Sequence, residues 1–352
     1  MSKTLNSIVK VKTAREKRGK SSRWYAQNLR SLLGNQNCMF YCILGGRMTG
    51  KSYALTDYLC NQKRKKGDQV KNYWLRISET STKALLANKA NKLVDPDLVR
   101  KYNLELTTKM MDVYDHGKLF MTVLPLSGMA KAKGVAFYDK DFTGEINIVL
   151  DEFQLEQGER KTSFDILYNF VGMVENIART TKSKIRIFLV GNTLEEASTI
   201  LKAFNFLPEK FGRFYLTRKR CIIDNLEPTE EYLKDRKGSA ADILGGDSMS
   251  NYTNELKKDI SLIHKGRLTT AQYLIKFGKE KNKQYIVWDN NVITRSKGQP
   301  VKKVIAMKPY LDNRYSPESK TMVLEMFDSR AYKFDTLITL SYFQGDLQTI
   351  RK

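Results

Sequence analysis

CMFYCILGGRMTGKS, residues 38–52, changes character halfway along. Met39 to Leu44 is an uncharged apolar run rich in β-formers, and it reads as a buried parallel strand. It closes as Gly45-x-x-x-x-Gly50-Lys51-Ser52, the glycine-rich phosphate-binding pattern, with the required strand before and helix after. The spacing of Ala54, Leu55, Tyr58 and Leu59 predicts a helix from Lys51 to about Asn61. Glycines at these places let backbone N–H groups turn inward around phosphate oxygens, and the helix N-terminus adds partial positive charge. The pattern therefore points to Gly45, Arg47, Thr49, Gly50, Lys51 and Ser52 as the phosphate cradle. Within it Lys51 reaches the β- and γ-phosphates of ATP, and Ser52 ligates Mg²⁺.

A second element answers the first. Ile146-Asn147-Ile148-Val149-Leu150-Asp151-Glu152 is an apolar strand ending in two carboxylates, the Walker B pattern. At the carboxyl end of such a strand Asp151 would hold Mg²⁺, directly or through water, and Glu152, on the other side of the pleat, would polarise the water attacking the γ-phosphate. Asn192 ends the next apolar run, Ile185 to Val190, and fits a polar sensor of the γ-phosphate; a strand-end cap is the alternative. Arg179 sits at the end of a predicted amphipathic helix, Phe164 to Thr180. It suits an arginine finger supplied in trans, and the alternative is a cation placed on the helix dipole.

Between these elements, apolar runs alternate with helical ones. Tyr73 to Ile77 and Leu119 to Leu124 read as strands, and Thr80 to Val99 as helix and loop. This alternation predicts an α/β class with a parallel sheet. At 352 residues the chain is long enough for two domains.

The balance of 61 Lys+Arg against 38 Asp+Glu gives a formal charge of +23, which argues for a polyanionic partner, nucleic acid before an anionic membrane surface. Residues 1–23 form a basic arm (Lys3, Lys10, Lys12, Arg15, Lys17, Arg18, Lys20 and Arg23 against Glu16) without the apolar core of a secretory signal. No apolar run approaches the ~18 residues of a membrane-spanning helix. Four cysteines (Cys38, Cys42, Cys60, Cys221) without a C-x-x-C pair, and two histidines, make a zinc site unexpected and suit reduced thiols in a cytosolic setting.

With these residues in hand, the chain resembles the DNA-packaging motor ATPases of small tailed phages with protein-primed genomes, the phi-29-like family, distant kin of large terminases. The resemblance is carried by Gly45-Gly46-Arg47-Met48-Thr49-Gly50-Lys51-Ser52 with arginine third in the loop, by the Tyr73 to Arg76 strand, and by Pro125-Leu126-Ser127 followed by Lys133. Val149 to Phe153 and Arg179 to Asn192 carry it further, and it continues through Ala271 to Phe277 and Phe334-Asp335. It implies an ASCE-type P-loop ATPase with Asp151 as the metal-binding acid, Glu152 as the catalytic carboxylate, Arg179 as a trans-acting finger and Lys133 as a basic residue acting across a subunit interface. It also implies a homopentameric ring on the prohead portal (connector) in the host cytoplasm, driving double-stranded viral DNA through the ring. A structural RNA is a further candidate partner.

The expected organisation is a basic arm (1–23), an ATPase domain (24–220), a linker subdomain (221–262) and an α+β domain (263–352), which by resemblance is ribonuclease-H-like. β-type runs at Thr269 to Phe277, Gln284 to Trp288 and Val301 to Met307 precede a helix from Ser316-Pro317 to about Tyr332. A nuclease would need several carboxylates around two metals, and only Asp289, Glu325 and Asp328 are candidates, so an inactive nuclease that binds nucleic acid or portal is expected. The alternatives are a DNA-dependent ATPase or helicase of replication, for which no further motif stands out, and a terminase with an active nuclease domain.

Overall fold

The computed structural model describes residues 26–34, 37–129, 141–153, 164–178, 183–192, 199–244, 260–277, 280, 283–299, 301, 303–306 and 317–351. The chain divides into two compact units, Met1–Phe204 with Lys210–Leu256, and Asn205–Glu209 with Lys257–Lys352.

The first unit is built on a nine-stranded sheet. Its strands are β1 (Phe40–Leu44), β2 (Val70–Arg76), β3 (Leu106–Lys109), β4 (Asp112–Asp115), β5 (Lys118–Pro125), β6 (Glu145–Asp151), β7 (Lys184–Gly191), β8 (Gly212–Leu216) and β9 (Cys221–Asn225), in the order β3-β4-β5-β2-β6-β7-β1-β9-β8. The six inner strands from β5 to β9 run parallel. Helices α2 (Lys51–Lys66), α3 (Glu79–Ala90) and α5 (Ile166–Ala178) lie in the connections that such pairing requires. At both edges the sheet turns antiparallel, because the connections there are tight. Met110, His116 and Arg220, at φ 54, 48 and 48, make those turns. The expectation of a purely parallel sheet thus holds for the interior and is corrected at the edges.

The core is apolar on both faces of the inner strands. Leu55 and Leu59 of α2 join Trp74, Val149 and Phe188 in one buried cluster, with Tyr41 stacked on Phe188 at 5.4 Å between ring centroids. Helix α2 runs to Lys66, its last turn carrying Lys63, Arg64, Lys65 and Lys66, where cations suit the helix dipole.

Residues from Cys221 onward were expected to form a linker. Cys221–Asn225 is instead a wholly buried strand, hydrogen-bonded in parallel beside β1, with Cys42 opposite Ile223. Three apolar residues between a basic run and Asp224-Asn225 show no periodicity of their own; only the partner strands reveal them as core. Past β9, α7 (Glu230–Arg236) starts at Thr229, whose side chain accepts from the Tyr232 N–H. The Gly/Ser-rich stretch expected as a loop contains a short helix, α8 (Ala240–Leu244). The helix expected over Asn251 to Ile263 falls largely outside the described residues; its final part, Ile260–Leu262, is a 3₁₀ turn.

The second unit has a five-stranded mixed sheet of β10 (Ala271–Lys276), β11 (Gln284–Trp288), β12 (Val292–Arg295), β13 (Lys303–Ala306) and β14 (Lys333–Phe334), ordered β13-β10-β11-β12-β14. β10, β11 and β12 form an antiparallel meander, and β13 and β14 flank it in parallel. Helices α9 (Pro317–Asp328) and α10 (Leu337–Arg351) complete the unit. Its core is aromatic: Phe343 of α10 meets Tyr285, Phe277 and Phe334 at centroid distances of 5.1, 5.4 and 5.6 Å. Helix α10 and the short β14 were not anticipated from sequence.

Candidate nucleotide site at the carboxyl edge of the sheet

β1, β7 and β6 are consecutive in the sheet and end at the same edge, so the loops that follow them converge. Between those ends lies a cavity of about 530 Å³ lined by Arg47, Met48, Thr49, Gly50, Lys51, Ser52, Tyr53, Asp151, Glu152, Val190 and Asn192. Of the expected site residues, eight line one cavity, and Gly45 stands at its base against the Leu226 side chain. Lys133 and Arg179 lie outside the described residues.

The loop is shaped by its own backbone. Gly50 is left-handed (φ 82, ψ 13) and caps α2 without a side chain, leaving the first amides of the helix facing the cavity. The Thr49 hydroxyl donates to the Gly46 carbonyl at 2.9 Å and stiffens the turn. Lys51 is buried, and its ammonium donates to the carbonyls of Gly45 (2.9 Å) and Gly46 (2.7 Å). Burial lowers its pKa to about 8, with Asp151 and Glu152 opposing and Arg47 assisting. A polyanion entering the cavity would restore the charge that burial penalises.

On the opposite wall, Ser52 Oγ donates to Asp151 Oδ1 at 3.3 Å. Burial raises the Asp151 pKa against the pull of Arg76 and Lys51. A hydroxyl and a carboxylate oxygen this close, one at the start of a helix and one at the end of a strand, are hard donors of the kind Mg²⁺ takes. The buried carboxylate gains from a cation beside it.

Two features escaped the sequence. The first is Arg76, the last residue of β2, which was quoted only as part of a strand. Its guanidinium contacts Asp151 Oδ2 at 2.9 Å and Glu152 Oε2 at 2.7 Å. The second is backbone geometry: Glu152 is left-handed at φ 53, so the pleat ends at Asp151 and both carboxylates meet one guanidinium. The expectation that Glu152 would project from the other side of the pleat is corrected by that turn. A basic residue ending the strand beside an acid-tipped one was the only available signal.

The family model described as podovirus DNA encapsidation protein (Gp16) matches residues 20–291. Among solved structures the chain is similar to one titled the bacteriophage Phi-29 viral genome packaging motor assembly, with 19% identity and a TM-score of 0.62, over 92% of this chain and 98% of that one. It is also similar to one titled the Phi-28 gp11 DNA packaging motor, with 12% identity and a TM-score of 0.55, over 91% and 96% of the two chains. At these identities the likeness concerns the fold. No curated protein matches by sequence.

Proposed function

This chain belongs to the podovirus DNA encapsidation protein (Gp16) family, and from that premise we propose that it is an ATP-hydrolysing motor that drives double-stranded viral DNA into a prohead. The observation that carries the chemistry is the convergence of Lys51, Ser52, Asp151 and Glu152 on one cavity at the carboxyl edge of a parallel sheet. In this reading the loop is a Walker A element. The amides after Gly50 and the Lys51 ammonium bind the β- and γ-phosphates, and leaving the two loop carbonyls for phosphate oxygens keeps Lys51 charged. Ser52 and Asp151 hold Mg²⁺, which neutralises charge developing on the phosphates. Glu152 orients the attacking water, and Asn192, between the two ends, senses the γ-phosphate.

Arg179 and Lys133 would complete the site from a neighbouring copy, which requires a ring, taken here as a pentamer docked on the portal in the host cytoplasm. The basic arm (1–23) and the +23 charge suit a DNA backbone and would equally suit a structural RNA. The second unit is proposed as a ribonuclease-H-like module that binds nucleic acid or portal without cutting. The Asp289 carboxylate accepts from the Thr269 and Thr270 amides, both at 3.4 Å, and Asp328 pairs with Arg351. Two of the three candidate acids are thus engaged in local structure. Among the described residues no helix is long and apolar enough to cross a membrane.

A packaging assay tests the reading. Portal-bearing proheads, linear genomic DNA, this protein and Mg·ATP should together protect DNA from added DNase, and Glu152→Gln should protect none. Protection that persists without ATP would refute the motor.

A further inference from the structure

Arg76 stands level with Asp151, because Leu75 pairs with Leu150 in the parallel register of β2 and β6. Its side chain is only 12% exposed, and it forks. One nitrogen takes Asp151 Oδ2 and the other Glu152 Oε2. Neighbouring residues of an extended strand point to opposite faces, so one guanidinium reaches both carboxylates only because Glu152 turns left-handed. That conformation is unfavourable for a residue with a Cβ and persists only where surrounding contacts hold it. The ion pair to Arg76 is such a contact.

The two carboxylates are not equally held. The Asp151 side chain is 10% exposed and uses its other oxygen toward Ser52. The Glu152 side chain is 55% exposed. Magnesium coordination on the Ser52 side therefore need not displace Arg76 from Asp151, whereas Glu152 has room to swing. A carboxylate oxygen that accepts a charge-assisted hydrogen bond at 2.7 Å from a guanidinium is directed at that donor. It cannot at the same time draw a proton from a water in line with the γ-phosphate.

We propose that Arg76 is a latch: it holds the Glu152 carboxylate on its guanidinium and away from the attacking water, so that hydrolysis waits until this ion pair opens. Arg76 is a positioning residue here, acting through Glu152. The inference rests on the assignment of the cavity to Mg·ATP. Positive charge arriving with the metal loosens the guanidinium from the pair, and release lets the backbone at Glu152 leave the left-handed region. The Phe153 amide, which donates to the Val190 carbonyl at 3.3 Å, reports that movement.

Arg76→Lys tests it. Lysine keeps a cation for buried Asp151 but, as a point charge, lacks the fork that spans both acids. Losing one charge-assisted hydrogen bond should raise DNA-free kcat about tenfold, leave KM for ATP within about twofold, and speed hydrogen exchange of the Phe153 amide about tenfold. Binding of a fluorescent ATP analogue to the wild-type protein is measured first. If the wild type does not bind it, the cavity assignment fails and the latch with it. If it binds, and Arg76→Lys lowers DNA-free turnover or leaves turnover and exchange at wild-type values, the latch is wrong and the ATP assignment stands. Should Arg76→Lys not fold, Glu152→Gln decides. It removes the charge from the same atoms, so it should speed Phe153 exchange although it hydrolyses poorly, and unchanged exchange overturns the proposal.

Discussion

The Tyr232 hydroxyl donates to the backbone carbonyl of Arg47 at 2.8 Å. Tyr232 is fully buried on α7, and Arg47 is third in the loop that follows β1, so a helix late in the first unit steadies the loop that cradles phosphate. Tyr232→Phe removes one hydrogen bond of about 1 kcal/mol. Affinity for a fluorescent ATP analogue should fall about fivefold, with little change in fold. Equal affinity for variant and wild type would mean that the loop holds its shape unaided.

The Lys51 ammonium sets a pH dependence whose sign is definite. Its folded pKa, about 8, lies below the usual lysine value. Between the two, the folded chain binds fewer protons than the unfolded chain, so this group makes stability rise with pH across that window. Phosphate binding needs the charged form. Above pH 8, ATP binding must take up a proton, and affinity should fall about tenfold per pH unit. Lys51→Ala should bind ATP far more weakly and lose that slope. A wild-type affinity that is flat from pH 7 to 9.5 would remove Lys51 from the phosphate site.

Gly191 ends β7 where an added Cβ would lie 2.7 Å from the Phe153 ring and 3.3 Å from the Leu44 side chain. Phe153 is only 1% exposed and follows Glu152 directly, so its ring has little room to retreat. Gly191→Ala should cost about 1–3 kcal/mol by overpacking, read from urea unfolding, and should slow hydrolysis by disturbing the Glu152 turn. A change below about 0.5 kcal/mol would show that the ring repacks freely.

DNA binding should be largely independent of sequence and steeply dependent on salt. The slope of log affinity against log salt is about −0.9 for each phosphate contacted. A +23 chain should contact several. Fluorescence anisotropy from low to high salt measures it. Salt-insensitive binding, or a strong preference for one sequence in competition, contradicts a motor that must grip every sequence alike.

Glu152→Gln and Arg179→Ala separate the two sides of the proposed subunit interface. Each variant alone should bind ATP and hydrolyse it slowly. Mixed rings contain some interfaces with both residues intact, and an arginine finger is worth roughly 10³–10⁵ in rate, so the mixture should recover measurable hydrolysis. If native mass spectrometry finds mixed rings that remain inactive, Arg179 does not act in trans, and Arg47 in the loop becomes the candidate acting in cis.

The amino-acid sequence alone determined the strand, glycine turn and helix around Lys51 and Ser52, and the acid-tipped strand ending at Asp151. These are local: a run of five or so apolar residues and its flanking glycine or carboxylates carry the whole signal. Tertiary structure decided what depends on partners distant in the chain. Arg76 and Asp151 are 75 residues apart, and Tyr232 and Arg47 are 185 apart. Cys221–Asn225 is core only because β1 lies beside it. The left-handed turn at Glu152 belongs to the same class. No local preference asks a glutamate to adopt it, and it exists because a guanidinium from the neighbouring strand holds two successive carboxylates at once.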